Sequence, residues 1–218
     1  MNRKMAINWH FLLLNLIFLG CQSRPVEPKF VRDIPKQKYQ ASTLLEGVRA
    51  TKDSLGLDDL ENGYDSLQIR MWFTYPLKDS EQVLTIKRNN AHWYGSFCLA
   101  SYALTPMGDS ISRYTIHFFK PILRRDWGDI VDTLIKFNII NLQDERQVAN
   151  LDSIDLLAIP TTPTSGSVII EIADQHKYKL YFYPMPVNYK EQLKEAADVC
   201  HMVEFLSNRL GIEYLGTY

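Results

Sequence analysis

The sequence predicts an α+β fold, in which an antiparallel meander sheet of about six strands carries helices packed on one face. Two observations predict it. Much of the chain alternates apolar and polar residues with a period of two, and turn residues separate the alternating segments, which is typical of strands. Two later segments instead place apolar residues three and four positions apart, which is typical of amphipathic helices. Helices of this kind pack economically against an antiparallel sheet.

The composition limits the class of protein. The chain has 218 residues, of which 46% are hydrophobic and 22% are charged. These proportions exclude a disordered chain, a coiled coil and a collagen-like chain. The formal net charge is −1. Because nucleic-acid affinity depends on a strongly cationic surface, we expect no nucleic-acid partner.

The N-terminus carries the features of a targeting segment. Arg3 and Lys4 precede the apolar run Phe11–Leu19, and Gly20-Cys21 follows it. The run is far shorter than the roughly 20 residues that a membrane-spanning helix needs, and it fits the apolar core of a signal peptide. We therefore predict that residues 1–21 are a signal peptide.

Gly20-Cys21 after this run resembles the end of a bacterial lipoprotein signal. Phe18 and Leu19 depart from the commonest form of that motif, as in the relaxed motifs of Bacteroidota, whose uncharacterised lipoproteins the chain resembles. The resemblance implies that Cys21 is lipidated and that the mature chain is held to a membrane of the bacterial cell envelope. Without an acidic run after Cys21, a periplasm-facing location is favoured. The alternatives are an ordinary signal peptide with Cys21 as an incidental thiol, or an uncleaved anchor.

Residues 22–39 are predicted to be an extended tether. They contain Pro25, Pro28 and Pro35 among scattered charges, and proline fixes φ and removes a hydrogen-bond donor. Residues 40–218 then form a single α+β domain.

The first half of this domain is predicted to be a short helix followed by a four-stranded meander. Gly47 weakens the helix prediction, and Gly95 marks a possible β-bulge. Short turns join the strands, so the strands should be antiparallel. The predicted ranges are Ser42–Ser54 for the helix and Ser66–Tyr75, Gln82–Arg88, Ala91–Leu104 and Ser110–Lys120 for the strands.

The second half is predicted to contain two helices and two more strands. A helix begins after Asp126, a preferred N-cap residue, and ends near Asn138. The polar stretch 141–166 is irregular. The strands Ser167–Ala173 and Tyr178–Tyr183 follow, and a last helix runs from about Tyr189 to Arg209, where Gly211 is a stop signal.

No catalytic or metal-binding motif is present in the sequence. There is no nucleophile-elbow serine, no phosphate-binding glycine loop and no dinucleotide fingerprint, and the histidines occur singly. We therefore predict no metal and no cofactor. Cys98 and Cys200 are either a disulfide pair or two buried thiols.

Aromatic and charged residues alternate with the aliphatic positions of the predicted strands. If the aliphatic side chains face the helices, the opposite sheet face is a candidate binding face, since aromatic rings mixed with charges are typical of recognition surfaces. Such a face predicts that Trp72→Ala and Tyr181→Ala abolish binding and leave the thermal midpoint unchanged. Its residues are Arg70, Trp72, Lys87, His117, Glu171, Tyr181 and Tyr183.

These observations favour a membrane-tethered, non-enzymatic binding domain of the cell envelope, whose partner is an envelope protein or glycan. Two other functions stay open. One is an envelope hydrolase that uses Glu171 or His117. The other is a structural component of an envelope assembly.

Overall fold

A computed structural model describes residues 29–34, 40–75, 80–104, 111–144 and 166–211 of the chain. Seven strands and three helices lie in these ranges, together with a short 3₁₀ turn at Pro186–Asn188. In chain order the elements are β1 (Val31–Asp33), α1 (Gln40–Leu55), β2 (Leu67–Tyr75), β3 (Ser80–Asn89), β4 (His92–Leu104), β5 (Ile111–Ile122), α2 (Trp127–Lys136), β6 (Ser167–Asp174), β7 (Lys177–Pro184) and α3 (Lys194–Leu210).

The strands form one sheet in the order β1-β7-β6-β2-β3-β4-β5. All neighbours are antiparallel except β1, which pairs in parallel with β7. The α+β class and the meander β2 to β5 are therefore confirmed, but the described residues form a sheet of seven strands rather than about six. The added strand, Val31–Asp33, lies inside the predicted tether. Three residues are too few to show a period of two, so β1 could not be predicted from the alternation of residues.

One face of the sheet, here called the two-helix face, is covered by α2 and α3. Ile69, Met71 and Phe73 of β2 are fully buried there, in one cluster with apolar residues of both helices. The helix residues in this cluster are spaced three and four apart, as the amphipathic pattern predicts: Trp127, Ile130, Val131 and Leu134 in α2, and Val199, Met202, Val203 and Leu206 in α3.

The opposite face, here called the α1 face, is covered by α1. Val48 and Leu55 of this helix share a second buried cluster with Trp72, Val83 and Cys98. The prediction that the helices pack on one face is therefore wrong. It treated the second set of alternating residues in β2 as facing solvent, whereas the residues of this set at 68, 70 and 72 are all buried.

The ends of the two later helices lie close to their predicted places. The helix α2 ends at Lys136, and Asn138 follows with a positive φ of 64°. The helix α3 ends at Leu210, and Gly211 follows as its C-cap with a left-handed φ of 67°. It begins at Lys194, five residues later than predicted, because the turn after β7 occupies the residues between. No helix in the described ranges is long and apolar enough to cross a membrane.

Candidate interaction surface

Three residues of the predicted binding face come together on the α1 face, but beneath its surface. Arg70 is 0% exposed and Glu171 is 1% exposed, and their side chains form an ion pair of 3.1 Å. The indole nitrogen of Trp72 donates a 2.7 Å hydrogen bond to Oε2 of Glu171, and the hydroxyl of Tyr178 donates a 3.0 Å bond to Oε1. Both carboxylate oxygens therefore have a donor within the protein.

Arg70 is also held from a second side. Its Nη2 donates a 2.8 Å hydrogen bond to the backbone carbonyl of Asp58, in the segment that follows α1. Burial, followed by the nearby Glu171 charge, raises the pKa of the Tyr178 hydroxyl, so this tyrosine stays protonated as a donor. The residues Arg70, Trp72 and Glu171 thus form the polar centre of a core.

Tyr181 and Tyr183 lie on the other side of the sheet. Both are buried in the cluster of the two-helix face. The Tyr181 hydroxyl donates a 3.2 Å hydrogen bond to the carbonyl of Ile140, and the Tyr183 hydroxyl donates to the carbonyl of Gln143. Burial raises the pKa of Tyr181. These tyrosines fasten the segment that follows α2 onto β7.

The last two predicted residues are more accessible. Lys87 lies 3.5 Å from a carboxylate oxygen of Asp58, and exposed His117 shares a 2.8 Å hydrogen bond with the hydroxyl of Ser101. The seven residues therefore do not share one open face, since strand alternation places Tyr181 and Tyr183 opposite Arg70. A binding role for these residues stays a prediction.

A different surface, around the end of β5, has the exposure that a binding site needs. Leu123 is 95% exposed and Tyr94 is 50% exposed, although both are large and hydrophobic. Three adjoining clefts of about 350, 530 and 350 Å³ meet here, and Pro121 lines all three. Arg124 lines two of them together with Leu123.

Cationic side chains surround these apolar residues. Lys120 and Arg125 are exposed and line clefts that also contain Leu123. The guanidinium carbon of Arg88 lies 5.8 Å from the ring centroid of Trp93, which lines a cleft with Tyr94. None of the three cations forms an ion pair with a carboxylate of the described residues. We call this set the β5-end surface: Arg88, Trp93, Tyr94, Lys120, Pro121, Leu123 and Arg125.

The loop that carries Leu123 is held firmly by its neighbours. Nε and Nη2 of Arg124 donate 2.7 Å hydrogen bonds to the two carboxylate oxygens of Asp126. Arg209 near the end of α3 also donates to Asp126. The Arg124 bonds first, and then the Arg209 bond, hold the pKa of Asp126 far below its usual range. Asp126 is the N-cap residue of α2, as predicted, but its carboxylate accepts from these arginines and caps no helix amide.

The two cysteines of the folded domain, Cys98 and Cys200, are not joined by a disulfide. Cys98 is buried on the α1 face, whereas Cys200 belongs to α3 on the two-helix face, so the sheet lies between them. Burial raises the pKa of Cys98, which makes it a poor nucleophile. Within the described ranges no group of three or more His, Cys, Asp or Glu side chains is arranged to hold a metal ion.

The β5-end surface was not predicted, because the predicted binding face rested on the alternating faces of the strands. The surface instead lies at the end of a strand. The sequence signal there is local: Leu123 lies between Pro121 and two arginines, and adjacent arginines are typical of an exposed segment rather than a buried one. Comparison of the chain with protein-family models, curated proteins and solved structures finds no match.

Proposed function

We propose that the chain is a membrane-tethered lipoprotein of the bacterial cell envelope, and that its α+β domain is a non-enzymatic interaction domain. It binds an anionic partner through the β5-end surface. The observation that carries this proposal is a fully exposed leucine, Leu123, beside cations that have no carboxylate partner in the described residues, on a chain with a net charge of −1. Local charge of the opposite sign to the whole chain favours partner selection over general solubility.

The geometry around Glu171 and His117 supports a hydrolase less well. Glu171 is 1% exposed, and both its oxygens already accept hydrogen bonds. Neither residue lines any of the five clefts described for the part of the chain that the structure covers. A general acid or base must reach the proton that it transfers. Glu171 reaches only its protein partners, and exposed His117 lies outside these clefts.

The anchoring half of the proposal is tested by metabolic labelling with an alkyne fatty acid. We expect the wild-type chain to carry the label and to sediment with membranes after an alkaline wash. Cys21→Ser should lose both properties, because Cys21 is the acceptor of the acyl chain. Retention of Cys21→Ser in the washed membranes would contradict lipid anchoring.

The binding half is tested by placing a photo-crosslinking residue at Leu123 in living cells. Ile116 is the matched control, since it lies on β5, the strand that ends directly before Leu123, and is 45% exposed. We expect an adduct from position 123 that is weak or absent from position 116. The Arg125→Glu variant should reduce the adduct at 123. Equal crosslinking from the two positions would exclude a site at the β5-end surface.

A further inference from the structure

We infer that the anionic partner of the β5-end surface is the lipid bilayer, on which the domain rests with Leu123 inserted among the headgroups. This inference rests on the proposed lipid anchor and names the partner of the proposed surface. It follows from two independent properties of the molecule. One is the chemistry of the surface, and the other is its place in the sheet relative to the point where the anchored chain enters the domain.

The chemistry is that of a membrane interface. Leu123 exposes 95% of its surface, so its burial in the acyl boundary would remove apolar area from water. Trp93 and Tyr94 lie beside it, and these two residue types concentrate at membrane–water interfaces because their rings are amphipathic. Arg125 and Lys120 flank Leu123, and each cation near an anionic bilayer contributes roughly 1 kcal/mol of attraction.

The position in the sheet follows from the strand register. A continuous row of cross-strand neighbours connects β1 to β4, and it consists of Arg32, Tyr178, Ala173, Gln68, Lys87 and Tyr94. Arg32 is the second residue of β1. Tyr94 therefore stands level with the start of β1, at the same end of the strands. Leu123 lies at this end too, directly after Ile122, which pairs with Gly95.

The entering chain leads from this same end toward Cys21. Residue 31 pairs with the first residue of β7, and its amide donates a 2.9 Å hydrogen bond to the carbonyl of His176 in the β6–β7 turn. Cys21 lies only eight residues before Lys29, the first described residue. Eight residues span at most about 29 Å when fully extended. A lipid at Cys21 thus keeps this end of the sheet close to the bilayer.

The separation between β1 and the surface does not oppose this arrangement. Tyr94 lies five strands away from Arg32 in the sheet order, or about 24 Å at the usual strand spacing. With the strands upright on the membrane, this distance runs parallel to the bilayer plane and requires no additional tether. The opposite end of the strands is then directed away from the bilayer.

An acidic protein could also bind these cations. Binding of such a protein would not, however, require an exposed leucine at the same end of the sheet as the tether. The test uses the full lipidated chain in vesicles of phosphatidylcholine with phosphatidylglycerol, with vesicles of phosphatidylcholine alone for comparison. A fluorescent label is placed on Leu123→Cys, and the matched control is Thr115→Cys, which is exposed within β5 and lies nearer the start of that strand. Both variants carry Cys200→Ser, and Cys98 is too buried to react.

Quenchers on lipid chains and quenchers in water then report where each label lies. We expect lipid-borne quenching at position 123 to be several-fold stronger than at position 115, with iodide quenching in the reverse order. The difference should shrink in vesicles without phosphatidylglycerol, in high salt, and in a Lys120→Glu/Arg125→Glu variant, since exposed charges are screened by salt.

The outcomes separate the inference from the proposed function. Protein that floats with the vesicles while its label at 123 stays open to iodide overturns the docking and leaves lipid anchoring intact. Shielding at 123 that requires added envelope protein also overturns it and identifies a protein partner instead. Wild-type protein that does not float with the vesicles overturns both the anchor and the docking.

Discussion

Arg70 on β2 and Glu171 on β6 stand directly opposite each other in the register of the sheet, and their side chains form an ion pair that solvent does not reach. The indole of Trp72 and the hydroxyl of Tyr178 complete the hydrogen bonding of the carboxylate. A charge can be buried in a sheet face only when it is neutralised and hydrogen-bonded in this way. The pair therefore converts an apparently polar strand face into a second core.

Removal of one charge of this pair should be far more harmful than removal of both. In Glu171→Leu the Arg70 guanidinium loses its counter-charge while buried, and we expect a loss of about 3–5 kcal/mol in the free energy of unfolding. Urea denaturation followed by circular dichroism measures this loss. The double variant Arg70→Met/Glu171→Leu is the matched control and should recover part of it, because no isolated charge then remains. A double variant less stable than Glu171→Leu would show that the charges are not coupled.

The backbone architecture was largely predictable from the sequence. The meander from β2 to β5 follows from alternation between clear turns, and α2 and α3 follow from apolar residues three and four apart. What could not be predicted depends on pairing over long distances in the chain. Glu171 lies 101 positions after Arg70, so nothing local shows that the two charges cancel.

The same limit explains the misplaced binding face. The position of Tyr181 in the alternation of β7 was predicted correctly. Alternation within one strand does not, however, show which face of the sheet each set of side chains lies on. That choice is set by register, which places Tyr181 beside Ile170 and Met71 on the two-helix face. The β5-end surface was not predicted for another reason. Leu123 indicates a binding surface only because it is exposed, and its exposure is known only from the structure.

The structure reverses the expected effect of substituting Trp72. An exposed binding residue would tolerate alanine without loss of stability, whereas Trp72 is 2% exposed and donates a hydrogen bond to Glu171. We expect Trp72→Ala to lower the free energy of unfolding by about 3–5 kcal/mol, as for other buried aromatic residues. Leu123→Ala is the control and should change the free energy of unfolding by less than about 0.5 kcal/mol, since the Leu123 side chain is exposed to solvent. Thermal melts of the two variants decide between these readings.

Gly95 was predicted to mark a β-bulge, but the register runs through it without a shift, and the irregularities lie farther along β4. A β-carbon at Gly95 would overlap the indole of Trp127, which packs directly over the strand. Gly95→Ala should therefore displace Trp127 and destabilise the fold by several kcal/mol. Gly128→Ala, in α2 with free space around it, should instead stabilise by up to about 1 kcal/mol. Equal effects in urea denaturation would refute this close approach.

Asp126 should make the stability of the domain depend on pH in the acid range. Its pKa is lowered in the folded state, first by Arg124 and then by Arg209, so the unfolded chain binds the proton more tightly. The resulting stability is present above the unfolded pKa of about 3.9 and is lost as the pH falls toward the lower folded value. The wild-type protein should therefore have a higher melting temperature than Asp126→Asn at neutral pH, and the difference between the two melting temperatures should narrow below a pH of about 4. Asp132→Asn, at an exposed carboxylate of α2, is the control. If the difference in melting temperature between wild type and Asp126→Asn stayed constant from neutral to acid pH, the carboxylate would stabilise the fold by its shape and not by its charge.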